Sequence, residues 1–327
     1  MSFRNSSAPS QQPLIGVDVG GTTLKFGLVS PDCQILHQFA IPTEAERGAD
    51  AVLARIAEGI NRLIDERNEP IAAVGLGVPG VINQRGEISY PPNFPGWGVV
   101  PVAERLRPLL KQPLPIAVEN DANVAAFAEA QAPGATDRDF LFITLGTGVG
   151  GCIINNGAIW RGATGGAGEI GHLSVVMNGH LCNCGARGCV EAYLGQRYMT
   201  ALAAAQLPRF PESLLHAMLA EGNALEPKLI NAAAESGDRF AADFLEEMGE
   251  ILGAALASAL NLLDLHLVIV GGGIAQAERH LLEPARRSLR ARLIQSISHD
   301  IQLRPARFQN NAGIIGAAML ATTAGAA

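Results

Sequence analysis

A chain of 327 residues, 48% of them hydrophobic, can bury a sizeable core, and divides more naturally into two packed lobes than one. With 24 Lys and Arg against 31 Asp and Glu, the net charge is −7 and no basic run stands out, which argues against a nucleic-acid partner. The opening MSFRNSSAPSQQP lacks the apolar centre of a signal peptide and no apolar stretch reaches the length of a membrane span, so the expectation is a cytoplasmic protein with no membrane partner.

Residues 1–12 read as a disordered tail. The segment LIGVDVGGTTLKFGLVS (14–30) reads as two β-runs joined by a Gly-Gly-Thr-Thr turn. A helix follows, with Val52, Leu53, Ile56, Ile60, Leu63 and Ile64 on one face, and Pro70 limits it. Next come the strand IAAVGLGV, a loop rich in Pro and Gly (YPPNFPGWG), a short helix near 101–110, the strand PIAVE and the helix DANVAAFAEAQA. FLFITLGTGVGGCIINNGAIW (140–160) then repeats the opening device. With an offset of 126, Asp18 aligns with Thr144, Gly20 with Gly146, Gly21 with Thr147 and Thr22 with Gly148, as two related lobes would require. The rest is mainly helical, apart from the strand LHLVIVGGG, and a last helix starts near Asn311. This order predicts a small α/β lobe over 13–121, completed by the C-terminal helix 310–327, and a large α/β lobe over 122–309.

Both glycine turns join strand to strand, so neither fits a Walker A loop or a dinucleotide fingerprint, which need a helix after the turn. Each suits close approach of backbone N–H groups to an anion, and the matched pair suggests a nucleotide clamp. Asp18 is placed to orient Mg²⁺, and Thr22 and Thr23 to donate to phosphate oxygens; an ordinary tight hairpin is the competing reading. Gly272 and Gly273 in VIVGGGIA offer a third close approach, or a plain strand-to-helix turn. Glu119, Asn120 and Asp121 end a strand where a helix begins, so one of them is available as a helix cap and a carboxylate remains to take a proton from a hydroxyl. Asn93, among prolines, reads as a rigidly held amide or a turn residue. His172, Cys182, Cys184 and Cys189 supply an imidazole and three thiols, a closed set for a structural Zn²⁺ in a loop over 172–191, with buried free thiols as the alternative. Cys33 and Cys152 fall in β-runs and read as core residues, and His180 as a solvated neighbour of the loop.

The ordered motifs DxGGTxxK, VENDAN, LGTGVGG, GGAGEIGH and CxCGxxGCxE resemble the ROK family of repressors and sugar kinases, from Ile15 to about Ala318. The resemblance implies an α/β fold of two ribonuclease-H-like (actin/hexokinase-like) lobes around a central cleft, and ATP-dependent phosphorylation of a hexose, glucose before N-acetylmannosamine, N-acetylglucosamine or fructose. It implies Asp121 as general base, with Asn93, Asn120, Asp121, Glu169, His172 and Glu191 on the sugar. Asp18, Gly20, Gly21, Thr22, Thr23 and Lys25, with Thr147 and Gly148, then face the phosphates of Mg·ATP, and Gly272 and Gly273 the adenosine. His172, Cys182, Cys184 and Cys189 match the family's zinc ligands, in a loop that aims Glu169, His172 and Glu191. A homodimer is implied by the family alone. A repressor of this family carries a helix-turn-helix ahead of the first strand; only about a dozen polar residues precede Leu14, so a kinase is expected over a repressor, with a sugar sensor lacking turnover as a third reading.

Overall fold

The computed structural model of the protein describes residues 12–67, 70–83, 85–89, 91, 94–296 and 300–324. The tail expected over 1–12 lies outside them except for Gln12, and Asn93 lies outside them too. Two compact units emerge, one of residues 1–138, 154–167 and 310–327, the other of 139–153 and 168–309.

The first half of the chain runs β1 (Leu14–Val19), β2 (Thr23–Val29), β3 (Ile35–Pro42), α1 (Ala49–Asp65), β4 (Val74–Val78), β5 (Val81–Ile82), β6 (Ile88–Ser89), β7 (Val99–Val100), α2 (Val102–Leu106), β8 (Ile116–Asn120) and α3 (Asp121–Gln131). It continues through β9 (Phe140–Leu145), β10 (Val149–Asn155), β11 (Ala158–Ile159), α4 (Glu191–Leu194), α5 (Gln196–Gln206), α6 (Leu215–Ala220), α7 (Pro227–Glu235) and α8 (Arg239–Leu263). The last elements are β12 (Leu267–Gly271), α9 (Glu283–Arg292), β13 (Gln302–Pro305) and α10 (Ala312–Ala321).

The repeat read from the sequence is present in the sheets. The bounds of β9 and β10 follow those of β1 and β2 at the same offset of 126. One five-stranded sheet has the order β3-β2-β1-β4-β8 and the other β11-β10-β9-β12-β13, so each glycine hairpin feeds two further strands on its own side. In the first sheet β2 is antiparallel to β1 and β3, whereas β4 and β8 are parallel. Parallel strands covered on both faces need continuous apolar runs, and β4 is buried at every residue.

In the first unit the predicted apolar face of α1 is buried at Val52, Leu53, Ile56, Ile60 and Leu63, with Ile64 at its margin. Helix α10 lies on β1, β4 and α3. That approach is close enough to require glycine in the strands: a Cβ at Gly75 would stand 1.7 Å from the Ala317 carbonyl oxygen, and one at Gly16 1.9 Å from that of Ile314. The same packing places α3 with the first unit, so the unit does not stop at residue 121 as the sequence suggested. In the second unit α8 packs on α7 and α9, and its apolar face joins β9 and β12 in one core. Cys152 is in β10 and fully buried, as expected; Cys33 is buried too, but in the turn after β2 with φ 62°, not in a strand.

Candidate active site

Within the first unit, the β1–β2 turn carries Gly20, Gly21 and Thr22. Gly20 N–H donates to the Thr23 carbonyl at 3.0 Å. Asp18, at the end of β1, is directly opposite Lys25 in the antiparallel register, and Lys25 Nζ sits 3.0 Å from Asp18 Oδ2. Lys25 therefore neutralises one oxygen of the carboxylate expected to serve a metal, and among the described residues the other oxygen has no hydrogen-bond donor.

The VENDAN segment divides its labour by residue. Asn120 caps α3: its Oδ1 accepts from Ala122 N–H at 2.9 Å and Asn123 N–H at 3.1 Å, and its Nδ2 donates to the Gly80 carbonyl at 3.0 Å. Among the described residues the second amide hydrogen has no acceptor. Asp121 is the first residue of α3. Its surface is exposed, but protein packed about the carboxyl removes much of its hydration. That loss, and then the nearby charge of Asp18, push its pKa up to about 6 against the opposing pull of the Ala122 N–H.

Glu119 is the buried hub of the segment, only 3% exposed. Its Oε1 accepts from Asn120 N–H at 2.9 Å and Asn123 Nδ2 at 3.0 Å, while Oε2 takes two bonds from Arg161 at 2.7 Å. Sequence reading missed Arg161 because its partner lies 42 residues away and nothing local marks the pair. Replacing Glu119 by Gln puts an amide N–H₂ against the guanidinium or against its other two donors. The expected cost is about 2 kcal/mol, tempered by the half-exposed Arg161, which can rehydrate. Urea unfolding of Glu119→Gln checks this, and a loss below about 0.5 kcal/mol would show the hub to be dispensable.

Within the second unit, Gly146 N–H closes the β9–β10 turn on the Gly148 carbonyl at 3.0 Å, with Thr147 exposed at the tip. Glu191, the first residue of α4, reaches this turn: Oε2 accepts from Val149 N–H at 2.9 Å, and a Cβ on Gly148 would stand 2.4 Å from it. Its Oε1 lies 3.8 Å from Cys182 Sγ, so Glu191 touches both the cysteine loop and the hairpin. Gly272, with φ 89°, has no room for a side chain, since a Cβ would meet the Leu145 carbonyl oxygen at 2.1 Å; Gly273 faces open space.

His172, Cys182, Cys184 and Cys189 come together, each with a ligand atom within 4.8 Å of the others. Cys184 Sγ is 3.6 Å from Cys189 Sγ, and His172 Nδ1 is 3.8 Å from Cys182 Sγ. Tetrahedral bonds of about 2.0–2.3 Å separate ligand atoms by just such spans, so the set fits a zinc ion. With Nδ1 on the cluster, the imidazole turns Nε2 toward Glu169, 3.9 Å from Oε2. The loop is shaped for this by Gly188, at φ 75°, where a Cβ would lie 1.8 Å from the Val176 carbonyl oxygen. It is braced by the Tyr198 hydroxyl accepting from Asn183 N–H at 2.9 Å. His180 is exposed as expected, its ring edge-on to Tyr193 at 5.2 Å.

The family model described as ROK family matches residues 14–324. The chain belongs to the ROK family. Among its ROK relatives, a glucokinase of Halalkalibacterium halodurans is 33% identical over 311 residues, covering 94% of this chain and 94% of that protein. A ROK family glucokinase from Streptomyces griseus, solved in complex with glucose and AMPPNP, superposes with a TM-score of 0.80 at 34% identity and covers 94% of this chain and 99% of its own. An N-acetylmannosamine kinase of Citrobacter koseri is 29% identical over 309 residues, covering 94% of this chain and 98% of that protein. The repeated sheets are those of the actin-like two-lobe fold of these ROK structures, and the protein is a sugar kinase. Among the described residues no helix is long and apolar enough to cross a membrane.

Proposed function

We propose that the protein transfers the γ-phosphoryl group of ATP to the 6-hydroxyl of glucose, with Asp121 as the general base. The observation that carries the assignment is geometric: Asp18 of β1 stands opposite Gly77 of β4, and a Cβ on Gly77 would lie 3.7 Å from Asp121 Cα, so the candidate base and the candidate phosphate turn share one neighbourhood of one unit. A carboxyl poised near 6 is ionised at neutral pH yet basic enough to accept a hydroxyl proton. Phosphoryl transfer through a loose transition state asks mainly for alignment and charge stabilisation, which backbone N–H groups at glycine turns provide. In this reading Gly20, Gly21, Thr22, Thr23, Thr147 and Gly148 receive phosphates, Gly272 and Gly273 pass under the adenosine, and Asn120, Glu169, His172 and Glu191 bind the remaining sugar hydroxyls, with Asn93 completing that set. Asp18 would hold Mg²⁺, which supplies charge neutralisation of the phosphates when bound with ATP. His172 Nδ1 and the three cysteine thiols would hold zinc, which fixes the loop that carries Glu169 and leads into Glu191. The homodimer rests on the family alone and is checked by sedimentation.

The deciding experiment is an ADP-coupled assay comparing kcat/KM for glucose, mannose, fructose, N-acetylglucosamine and N-acetylmannosamine, with ATP and then polyphosphate as donor. Glucose with ATP is expected to exceed the others by about tenfold or more, the scale set by local packing around one substituent. Preference for an N-acetylated sugar would overturn glucose and retain the kinase. Absence of turnover with every pair would favour a sugar sensor.

A further inference from the structure

The first glycine hairpin is not closed in the way a tight turn closes itself. A β-turn over Gly20–Thr23 would return the Thr23 N–H to the Gly20 carbonyl. Instead, that carbonyl accepts the Thr43 hydroxyl at 2.6 Å, and Thr43 N–H donates to the Thr22 carbonyl at 2.9 Å. Thr43 follows directly on β3 and is fully buried. Two of the turn's carbonyls are thus drawn to one side by a residue outside the turn. Among the described residues, the N–H groups of Gly21, Thr22 and Thr23 have no protein acceptor. A run of adjacent unpaired backbone donors at a glycine turn is a receptor for an anion.

The second unit repeats the device with different atoms. Gly146, the offset partner of Gly20, has its carbonyl taken by Gln196 N–H at 2.9 Å. Holding the first glycine's carbonyl away from the turn therefore recurs in both hairpins, by a side chain in one and by the backbone in the other. Only the first can be tested by changing a side chain.

From this we infer that Thr43 is a positioning residue for the donor phosphates: its hydroxyl holds the Gly20 carbonyl so that the three N–H groups stay open to the nucleotide. The inference rests on the kinase reading above and deepens it by naming what shapes the phosphate turn. Valine has the same branched shape but no donor. In Thr43→Val the freed carbonyl can take the Thr23 N–H, closing the turn and withdrawing one donor.

The test compares wild type, Thr43→Val and Thr43→Ser by steady-state kinetics and by calorimetric titration of ADP without sugar. Thr43→Val is expected to raise the KM for ATP and weaken ADP binding by about tenfold, with the sugar KM within about twofold of wild type. Thr43→Ser keeps the hydroxyl and is expected to match wild type in both. Unchanged ADP affinity in Thr43→Val would overturn the inference. So would a serine variant as impaired as the valine one, or sugar and ATP KM values rising together, since each would mean a general packing role. If no sugar is phosphorylated by wild type, the kinase reading fails on its own, and the ADP titrations still decide the role of Thr43.

Discussion

Asp121→Asn is expected to lower kcat by about 10²–10⁴-fold while sugar affinity stays within about twofold of wild type. The asparagine can still accept the Ala122 N–H that Asp121 Oδ1 holds at 2.9 Å, and Asn120 still caps α3, so the local backbone has no reason to move. What disappears is the proton acceptor. In wild type the raised pKa, about 6, sets the acid limb of kcat/KM: activity is full above that pH and falls tenfold per unit below it as the base is protonated. The same shift has a sign for stability. The folded-state value lies above the ordinary 3.8, so folding takes up a proton, and the cost of keeping the carboxylate charged is full above about pH 6 and vanishes as pH falls toward 3.8. Because the side chain is exposed the cost is small, yet its direction is fixed. Asp121→Asn should therefore melt no lower than wild type at pH 7.5, which separates lost chemistry from lost folding. A variant with near-normal kcat would remove Asp121 from the role of base, and an acid limb near pH 4 would remove the pKa argument with the base assignment intact.

What the sequence made legible, and what it hid, follows from how far each signal reaches. The two glycine hairpins were visible because the turn residues are local and their spacing repeats at an offset of 126, which the strand bounds reproduce. The Asn120 cap is legible for the same reason, since it depends on neighbours within three residues. Strand β3 is hard to read from sequence: ILHQFAIP alternates between partly buried and exposed positions along a sheet edge, a weak pattern with His37 and Gln38 in its middle. The first unit extends past the boundary expected at 121 because α3 owes its place to α10, at the far end of the chain. Partnerships such as Glu119 with Arg161 and Thr43 with Gly20 span 42 and 23 residues and have no periodicity to betray them. Thr43 follows the proline that ends β3, and only its burial and its bond to a turn carbonyl give it a task. The cysteine loop was legible because thiols are rare here, three of five lying within eight residues, and metal ligands must be close in space whatever the fold.

Cys184→Ser is expected to lose zinc and to raise the sugar KM by about 10–100-fold, the range seen when a group that orients ligand-binding side chains is removed. Serine is nearly the shape of cysteine but a poor ligand for zinc, and Cys184 is the exposed one of the three cysteines, so the substitution removes a ligand without emptying the core. The effect should travel along two routes. His172 gives Nδ1 to the cluster and directs Nε2 toward Glu169, so a loose imidazole frees two of the proposed sugar contacts together. Glu191 lies 3.8 Å from Cys182 Sγ through one oxygen and holds Val149 N–H through the other, so the second hairpin loosens with the loop. The KM for ATP is therefore expected to rise as well, by less than the sugar KM, because the β9–β10 turn keeps its bond from Gly146 to Gly148 and the brace from Gln196. Metal analysis should find about one zinc per wild-type chain and none in the variant, with a lower Tm because binding free energy is folding free energy at such a site. A zinc-free variant with wild-type KM values would refute the idea that the clip aims the sugar-binding side chains, and a wild type without metal would make the four residues three free thiols beside an imidazole and nothing more.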